Sequence, residues 1–323
     1  MDLFTLSDLC TPWCVHVVAT LRIAQHLEAG LAQVDDLARA AKCDAPSLHR
    51  VLRHLASKGV FVETASGRFA LNENARLLLE PAARWLDLDA FGGRMAHAWS
   101  TMLSAVRNGK PAYDQVFGRP YWDDLAAHPE IAADFDDLMG PAGHGVPDPN
   151  VLIDGDWDLI RTVVDVGGGT GTLLAEVLKA HPRLRGTLVD MPRTVEQSCT
   201  TFQRAGVADR VTIAAQSFFD PLPSGADLYM LKSVLSDWPD TEAKSILERC
   251  AEAARPHGRL VVVNGVSPDG LDAPDPNLLM MVLVGGKERS LSEFRSLAQS
   301  AGLKVEKTSP KGSERFLVEC RPL

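Results

Sequence analysis

Hydrophobic positions along the chain follow two different patterns, and the change between them falls near residue 160. Residues 12–30 place apolar side chains at helical spacing and end at Gly30, which predicts an amphipathic helix. Beyond residue 160, short apolar runs alternate with helical patterns. Such alternation of strand and helix predicts a mostly parallel, doubly wound sheet, so we expect the fold class to be α/β.

The segment 34–72 has the pattern of a winged helix-turn-helix. Two short helical patterns flank the turn CDAP, and a hairpin follows with Ser66 and Gly67 at its tip. Such a module either binds DNA or joins subunits. Residues 34–79 carry seven Lys or Arg against five Asp or Glu, whereas DNA-binding faces are usually more strongly basic. This charge balance favours a role in joining subunits.

Residues 81–154 show helical patterns separated by polar breaks, and we interpret them as a connector. Aromatic residues, methionines and histidines recur in it, and most side chains of this kind belong to a core. As a group that precedes a cofactor domain, they are the natural wall of a substrate cavity. The candidate substrate-binding residues are His97, Trp99, Met139 and His144, with Trp238 further along the chain.

Residues 155–323 form the predicted α/β domain. The parallel strand segments are TVVDVGGG, GTLVDMP, RVTIAAQSFF, DLYMLKSVL and RLVVVNGV. Two further segments, LKVEKTSP and RFLVECRP, predict a two-strand end of the sheet. The expected organisation is therefore a first domain over 1–80, a connector over 81–154 and a cofactor domain over 155–323.

Composition and charge mainly argue against certain classes of protein. The net charge of −9 over 323 residues argues against a protein whose main task is binding nucleic acid. No run approaches the ~18 apolar residues of a membrane helix, and the first residues lack the pattern of a secretory signal. We expect a cytoplasmic protein with reduced cysteines, no metal site, no nucleic-acid partner and no membrane contact.

A glycine-rich turn carries the strongest chemical information. In VVDVGGGTG, a strand that contains Asp165 leads into Gly167, Gly169 and Gly171, and a helical pattern follows. This D-x-G-x-G-x-G spacing differs from the dinucleotide fingerprint and is typical of S-adenosylmethionine enzymes. A second acid, Asp190, ends the next strand, where a carboxylate accepts both ribose hydroxyls. The pattern predicts S-adenosyl-L-methionine as the cofactor.

The order of several motifs resembles one enzyme family over nearly the whole chain. DVGGGTG, LVDMP, FFDPLP, LKSVLSDWPD, VGGKERS and LVECR match the small-molecule O-methyltransferases of the caffeate, hydroxyindole and bacterial polyketide-tailoring type. The N-terminal TPWCVHVVATLRIAQHLEAG resembles the subgroup around anthracycline-tailoring enzymes. The resemblance implies a Rossmann-like class I methyltransferase domain, a winged-helix dimerisation domain, a homodimer, and an aromatic or polycyclic secondary metabolite as substrate.

The resemblance also assigns cofactor contacts. It places the three glycines of the turn around the cofactor, Asp190 on its ribose and Lys232 of the LK pair nearby. Where the family has an aspartate that accepts from the adenine amino group, this chain has Ser217, which accepts without the assistance of a charge. Phe218 is expected to pack on the adenine ring.

The catalytic positions depart from the family pattern. The resemblance places a histidine base where this chain has Ser236, and a supporting acid where it has Asn264. The second supporting acid is retained as Glu288. A serine hydroxyl cannot remove a proton from a phenol, whose pKa is about 10. We therefore expect methyl transfer to an oxygen or nitrogen atom by proximity, without the usual base.

Alternatives remain open from the sequence. Glu288, His97 or His144 are candidates for a relocated base. A second hypothesis is a decarboxylase, hydroxylase or cyclase on the same fold, in which the bound sulfonium acts electrostatically. A third is a DNA-binding regulator that uses the winged helix.

Overall fold

The computed structural model describes residues 2–139, 148–153, 157–270, 276–309 and 316–323. These residues divide into two compact units. The first comprises Met1–His97 with Pro129–Asp134, and the second comprises Ala98–His128 with Phe135–Leu323. Within the described ranges, no helix is both long enough and apolar enough to span a membrane.

The first unit contains the predicted winged helix-turn-helix. Its hairpin consists of antiparallel strands β1 (Phe61–Ala65) and β2 (Arg68–Leu71), with Gly67 at the tip at a φ of 70°. The helix Ala45–Ser57 starts where the Asp44 side chain accepts a hydrogen bond from the backbone N–H of Ser47. The helices of this unit are Leu3–Leu6, Cys10–Thr20, Ile23–Glu28, Val34–Ala40, Ala45–Ser57, Glu73–Arg76 and Phe91–Ala98, with 3₁₀ turns at Leu77–Leu79 and Pro81–Leu86.

The second unit is built on a seven-stranded sheet with the order β10-β11-β7-β6-β3-β4-β5. Its strands are β3 (Thr162–Val166), β4 (Arg185–Asp190), β5 (Val211–Ala215), β6 (Leu228–Lys232), β7 (Arg259–Val263), β10 (Leu303–Thr308) and β11 (Leu317–Pro322). Strands β3 to β7 pair in parallel and β11 pairs antiparallel with β7 and β10. The prediction of a doubly wound α/β sheet with a two-strand end is confirmed.

Helices and short turns precede these strands or connect them, and the helix Pro129–Met139 begins in the first unit and ends in the second. A small parallel pair, β8 (Val266–Ser267) and β9 (Arg289–Ser290), lies outside the main sheet. The helices are Met102–Asn108, Asp114–Phe117, Tyr121–Ala127, Pro129–Met139, Thr172–Ala180, Pro192–Val195, Ser198–Ala205, Asp240–Ala254, Pro276–Leu283 and Leu291–Ser300. The 3₁₀ turns are Trp99–Thr101, Pro149–Val151, Trp157–Leu159, Ala208–Arg210 and Leu235–Asp237.

The strand order positions the site. From β3 the chain moves outward to β4 and β5, and then returns to β6 on the other side of β3. Adjacent connections therefore leave β3 and β6 in opposite directions, which opens a crevice at the carboxyl ends of these strands. Both faces of the sheet are covered, since four of the five residues of β3 are buried.

Candidate cofactor and active site

A cavity of about 650 Å³ opens at the carboxyl ends of β3, β4, β5 and β6. Its size lies within the range of small-molecule sites. Seven of the eight residues that the sequence predicts as cofactor contacts line it: Asp165, Gly167, Gly169, Asp190, Ser217, Phe218 and Lys232. The eighth, Gly171, takes the N-cap position of the helix Thr172–Ala180 at a φ of 78°.

The glycine turn leaves one side open to the cavity. Gly169 has a φ of 61°, and a Cβ built on it meets no atom within 4 Å. A Cβ on Gly171 would lie 2.3 Å from the ring of Phe202, so this glycine is needed for packing. The side chain of Asp190 fixes the turn, because it accepts hydrogen bonds from the backbone N–H groups of Gly169 at 2.8 Å and Met191 at 2.7 Å.

Asp165 lies buried beneath this turn, where the positive charge of Lys232 acts on it. Among the described residues, neither of its carboxylate oxygens has a hydrogen-bond partner. Burial raises the pKa of Asp165 to about 7, while the charge of Lys232 lowers it and that of Asp190 raises it. An unpaired buried acid is costly unless a ligand supplies donors. The amino group of S-adenosylmethionine is such a donor, so the residues present fit this cofactor.

Part of the cavity wall is aromatic. Phe218 and Phe219 both pack against Trp238, with ring centroids 5.9 and 4.9 Å away. Ser217 accepts a hydrogen bond from the backbone N–H of Phe219 at 3.2 Å, so part of its capacity as an acceptor is used within its own turn. Trp122 stacks on Trp238 at 5.7 Å with an angle of 18° between the rings. Phe218 and Phe219 meet Trp238 edge-on, at 84° and 86°, so these side chains form an apolar aromatic wall beside the predicted cofactor contacts.

Among its described residues, the connector contributes side chains to the cavity that the sequence analysis did not single out. Those that line the cavity include Trp122, Leu125 and Phe135. The predicted His97 is exposed and packs on Trp13 at 5.1 Å, and Trp99 is also exposed. The candidate Met139 is the last residue of the helix Pro129–Met139, and the candidate His144 lies outside the described residues. The substrate roles of these four residues remain predictions.

The three positions compared with the family's base and its supporting acids lie around one turn. The hydroxyl of Ser236 donates to the carboxylate of Asp237, and a Cβ on Gly265 would approach the Ser236 Cβ at 3.4 Å. Asn264 donates from Nδ2 to the hydroxyl of Ser233 at 2.9 Å. Glu288 accepts from the Ser267 hydroxyl, and burial raises its pKa. The residues that line the cavity within the described chain do not include Ser236, Asn264 or Glu288.

Sequence reasoning missed Arg289, which organises this turn. Its side chain is 1 % exposed. One guanidinium nitrogen donates to the carbonyl of Leu235 at 2.7 Å, and another donates to that of Trp238 at 2.8 Å. Its Nε donates to Asp240 at 2.9 Å. The neighbouring Gly286 has no room for a side chain, since a Cβ there would lie 2.1 Å from the Ser236 carbonyl oxygen. The motifs LSDWPD and GGKER therefore form one structural unit.

Two acids at the cavity were also missed. Asp237 lines it directly, and burial raises its pKa to about 7 while the hydroxyl of Ser236 opposes the shift. Asp136 also lines it, 3.5 Å from the guanidinium of Arg193, and burial raises its pKa to about 6 against the effect of that charge. The only available indication for Asp237 was its place in the SDW stretch, at the end of a strand.

Comparisons with known proteins agree with this geometry. Residues 99–304 match the O-methyltransferase domain model, and residues 4–81 match the O-methyltransferase dimerisation domain model. The chain is 40% identical over 315 residues to 2,7-dihydroxy-5-methyl-1-naphthoate 7-O-methyltransferase of Streptomyces carzinostaticus, covering 96% of this chain and 94% of that protein. It is also 38% identical over 322 residues to aclacinomycin 10-hydroxylase of Streptomyces purpurascens, covering 95% of this chain and 85% of that one.

A solved structure extends the similarity to the cofactor. An O-methyltransferase from neocarzinostatin biosynthesis, in complex with S-adenosylmethionine and 2-hydroxy-5-methyl naphthoic acid, has a TM-score of 0.92 and 38% identity. The match covers 100% of this chain and 99% of that one. The predicted family, fold and cofactor are confirmed. The chain belongs to the O-methyltransferase family and is an S-adenosylmethionine-dependent methyltransferase.

Proposed function

We propose that this enzyme methylates a phenolic oxygen of an aromatic secondary metabolite about the size of a fused bicyclic ring. The observation that carries the proposal is the cavity of about 650 Å³, in which the predicted cofactor contacts continue into the wall of Trp122 and Trp238. Flat aromatic surfaces favour flat aromatic ligands. The relative named for a naphthoate and the structure with a naphthoic acid support the same substrate class.

The residues of the cavity account for binding and alignment. In this proposal Asp190 accepts from the ribose hydroxyls, Asp165 accepts from the amino group, and Phe218 packs on the adenine ring. All three line the cavity. When bound, S-adenosylmethionine supplies a methyl carbon on a positively charged sulfur. The aromatic wall holds the acceptor ring close to that carbon and excludes water. Alignment of this kind contributes about 7–11 kcal/mol, so a histidine at position 236 is not a requirement for transfer.

The test is incubation with methyl-labelled cofactor and a panel of hydroxynaphthoic acids, simpler phenols and aromatic amines. We expect label in the hydroxynaphthoic acids and one S-adenosylhomocysteine formed for each product. Consumption of substrate without S-adenosylhomocysteine, or no label in any member of the panel, would overturn the proposal. A truncated single-ring phenol serves as the matched probe, because it fills less of the aromatic wall and should react more slowly.

The proposal includes a homodimer formed through the first unit. Residues 4–81 match the dimerisation domain model. The start of the chain carries large exposed apolar side chains, which are costly to leave in water. These are Leu3, Phe4, Leu6 and Leu9. The winged helix fits the same task better than nucleic-acid binding, since its His49 and Arg53 both turn toward Glu63 of the hairpin.

Replacing Phe4 and Leu6 together by aspartate should shift the protein from dimer to monomer. Burying two charges in an apolar interface costs several kcal/mol, and light scattering after size exclusion measures the mass. Leu159→Asp is the matched control, since Leu159 is an exposed apolar residue of the second unit and its replacement should leave the mass unchanged. A dimer that survives the double substitution would exclude this surface from the interface.

A further inference from the structure

Methylation of a phenol releases a proton, and the cavity must contain or contact a group that takes it. Among the described residues that line the cavity, the three positions compared with the family's base and its supporting acids are missing. The charged and acidic residues that do line it are Asp123, Asp136, Asp165, Asp190, Asp237, Arg193 and Lys232. The question is therefore which of these carboxylates is positioned to receive the proton.

Four of the five carboxylates are less suited to receive the proton, because they contact other groups, lie beneath the glycine turn or are exposed. Asp190 accepts from two backbone N–H groups of the glycine turn. Asp165 lies beneath that turn, where a Cβ on Gly168 would be 2.5 Å from its carboxyl group. Asp136 faces the guanidinium of Arg193 at 3.5 Å, and Asp123 is exposed. These features leave Asp237 as the carboxylate beside the aromatic wall.

The backbone around Asp237 is held from both sides. It lies between Leu235 and Trp238, the residues whose carbonyls accept from the buried guanidinium of Arg289. Its own side chain accepts from the hydroxyl of Ser236 and forms no ion pair with the described residues. A reactive group needs this kind of support, because small displacements weaken catalysis strongly.

We propose that Asp237 is the general base of this enzyme and takes the proton of the substrate phenol. The inference rests on the proposed function. As the phenolic oxygen forms its bond to the methyl carbon, the carbon–sulfur bond breaks and its electron pair stays on sulfur. The phenolic O–H bond breaks at the same time, and the proton moves to a carboxylate oxygen of Asp237. The family's histidine is thereby replaced by the acid at the next position of the same turn.

The electrostatic surroundings suit this role. Burial raises the pKa of Asp237 to about 7, with the Ser236 hydroxyl opposing the shift. A base whose pKa lies near the working pH is largely ionised and still binds a proton well. An ordinary aspartate is ionised at this pH but binds a proton only weakly. On the helix Tyr121–Ala127, burial raises the pKa of Tyr121 well above its usual range, and the negative charge of Asp237 adds to this shift.

The central test compares Asp237→Asn with Asp209→Asn, an exposed site outside the cavity. We expect kcat to fall about 10²–10⁴-fold in the first variant and to stay within about threefold in the second. The wild-type rate should rise with pH through about 7, because the carboxylate must be ionised. Asp237→Asn should lose this inflection. Ser236→Ala should move it to higher pH, because a hydrogen bond that lowers the pKa is removed.

A binding measurement tests the same idea without methyl transfer. A hydroxynaphthoic acid bound together with S-adenosylhomocysteine should ionise at lower pH in Asp237→Asn than in the wild type, since a neighbouring negative charge is removed. Absorbance of the bound phenolate reports this, and calorimetry should show cofactor affinity within about threefold of the wild type. Asp237→Glu should retain the pH inflection with a lower kcat.

The outcomes separate the two claims. Methyl transfer by the wild type with unchanged kcat and pH profile in Asp237→Asn would overturn the role of Asp237 and leave the proposed function standing. A loss of cofactor affinity equal to the loss of kcat would show a structural role and would also overturn it. Absence of methyl transfer by the wild type would instead remove the proposed function.

Discussion

Replacing Arg289 by methionine should lower the free energy of unfolding by about 2–6 kcal/mol. The guanidinium is buried and donates to the carbonyls of Leu235 and Trp238. Methionine fills similar space but donates nothing, so both carbonyls lose their donor, and each such loss costs about 1–3 kcal/mol. The third partner, Asp240, is 57% exposed and returns to water at little cost.

The same variant should also reduce catalysis, because the two carbonyls flank Ser236 and Asp237. We expect kcat to fall about 10–100-fold, since misplacement by about 1 Å already has effects of this size, while cofactor affinity changes little. Urea unfolding followed by circular dichroism gives the stability, and steady-state rates below the transition give kcat.

Lys287→Met is the matched control for Arg289→Met. Lys287 lies in the same motif and forms ion pairs with Asp240 and Glu293, both at 3.2 Å, but its side chain is 40% exposed. Exposed ion pairs contribute about 0–1 kcal/mol, so this variant should stay close to the wild type in stability and rate. Equal losses in the two variants would show that the two backbone hydrogen bonds of Arg289 are not what holds the turn.

The residues on the glycine-turn side of the cavity could be predicted from the sequence because their determinants are local. The glycine turn directly follows a buried strand, and Asp190 directly ends the next one. Parallel pairing of β3 with β4 then brings the glycine turn and Asp190 to the same edge of the sheet. The alternation of apolar runs and helical patterns determined the sheet for the same reason.

The catalytic half depends on contacts between distant segments. Arg289 lies about fifty residues beyond the turn it supports, and no local pattern distinguishes a buried arginine from a solvated one. Its neighbour Gly286 is required by a close approach to the Ser236 carbonyl, which is likewise a tertiary feature. The order of motifs identified LSDWPD and GGKER as important segments. That the second segment supports the backbone of the first becomes visible only in the folded structure.

Aromatic residues of the connector show a further limit. Helical spacing gives tryptophan and histidine positions without stating which face meets a cavity. Trp122 lines it and stacks on Trp238, whereas Trp99 is exposed on a neighbouring segment. Both tryptophans lie in segments with a helical pattern, so only the packing of the chain distinguishes the one that lines the cavity from the exposed one.

Asp190→Ala should weaken S-adenosylmethionine binding about 10²–10⁴-fold. Two hydrogen bonds from ribose hydroxyls to a charged acceptor contribute about 1.5–3 kcal/mol each, and alanine removes both. The substitution also removes the acceptor for the backbone N–H groups of Gly169 and Met191, so the glycine turn loses its anchor. Asp190→Asn should have an intermediate effect, since the amide oxygen still accepts one bond but without charge assistance.

The protonation state of Asp190 gives this prediction a pH dependence. Burial raises its pKa above the ordinary 3.8, against the lowering effect of the Gly169 and Met191 N–H groups. Only the carboxylate accepts from both hydroxyls, so wild-type affinity should decrease as pH falls through this raised pKa, at a higher pH than for an exposed aspartate. The alanine variant should lack this part of the dependence. Calorimetry between pH 8 and pH 5 measures both proteins, with Glu196→Ala as a control for an exposed acid nearby. Equal affinity in Asp190→Ala and Glu196→Ala would remove Asp190 from the cofactor site.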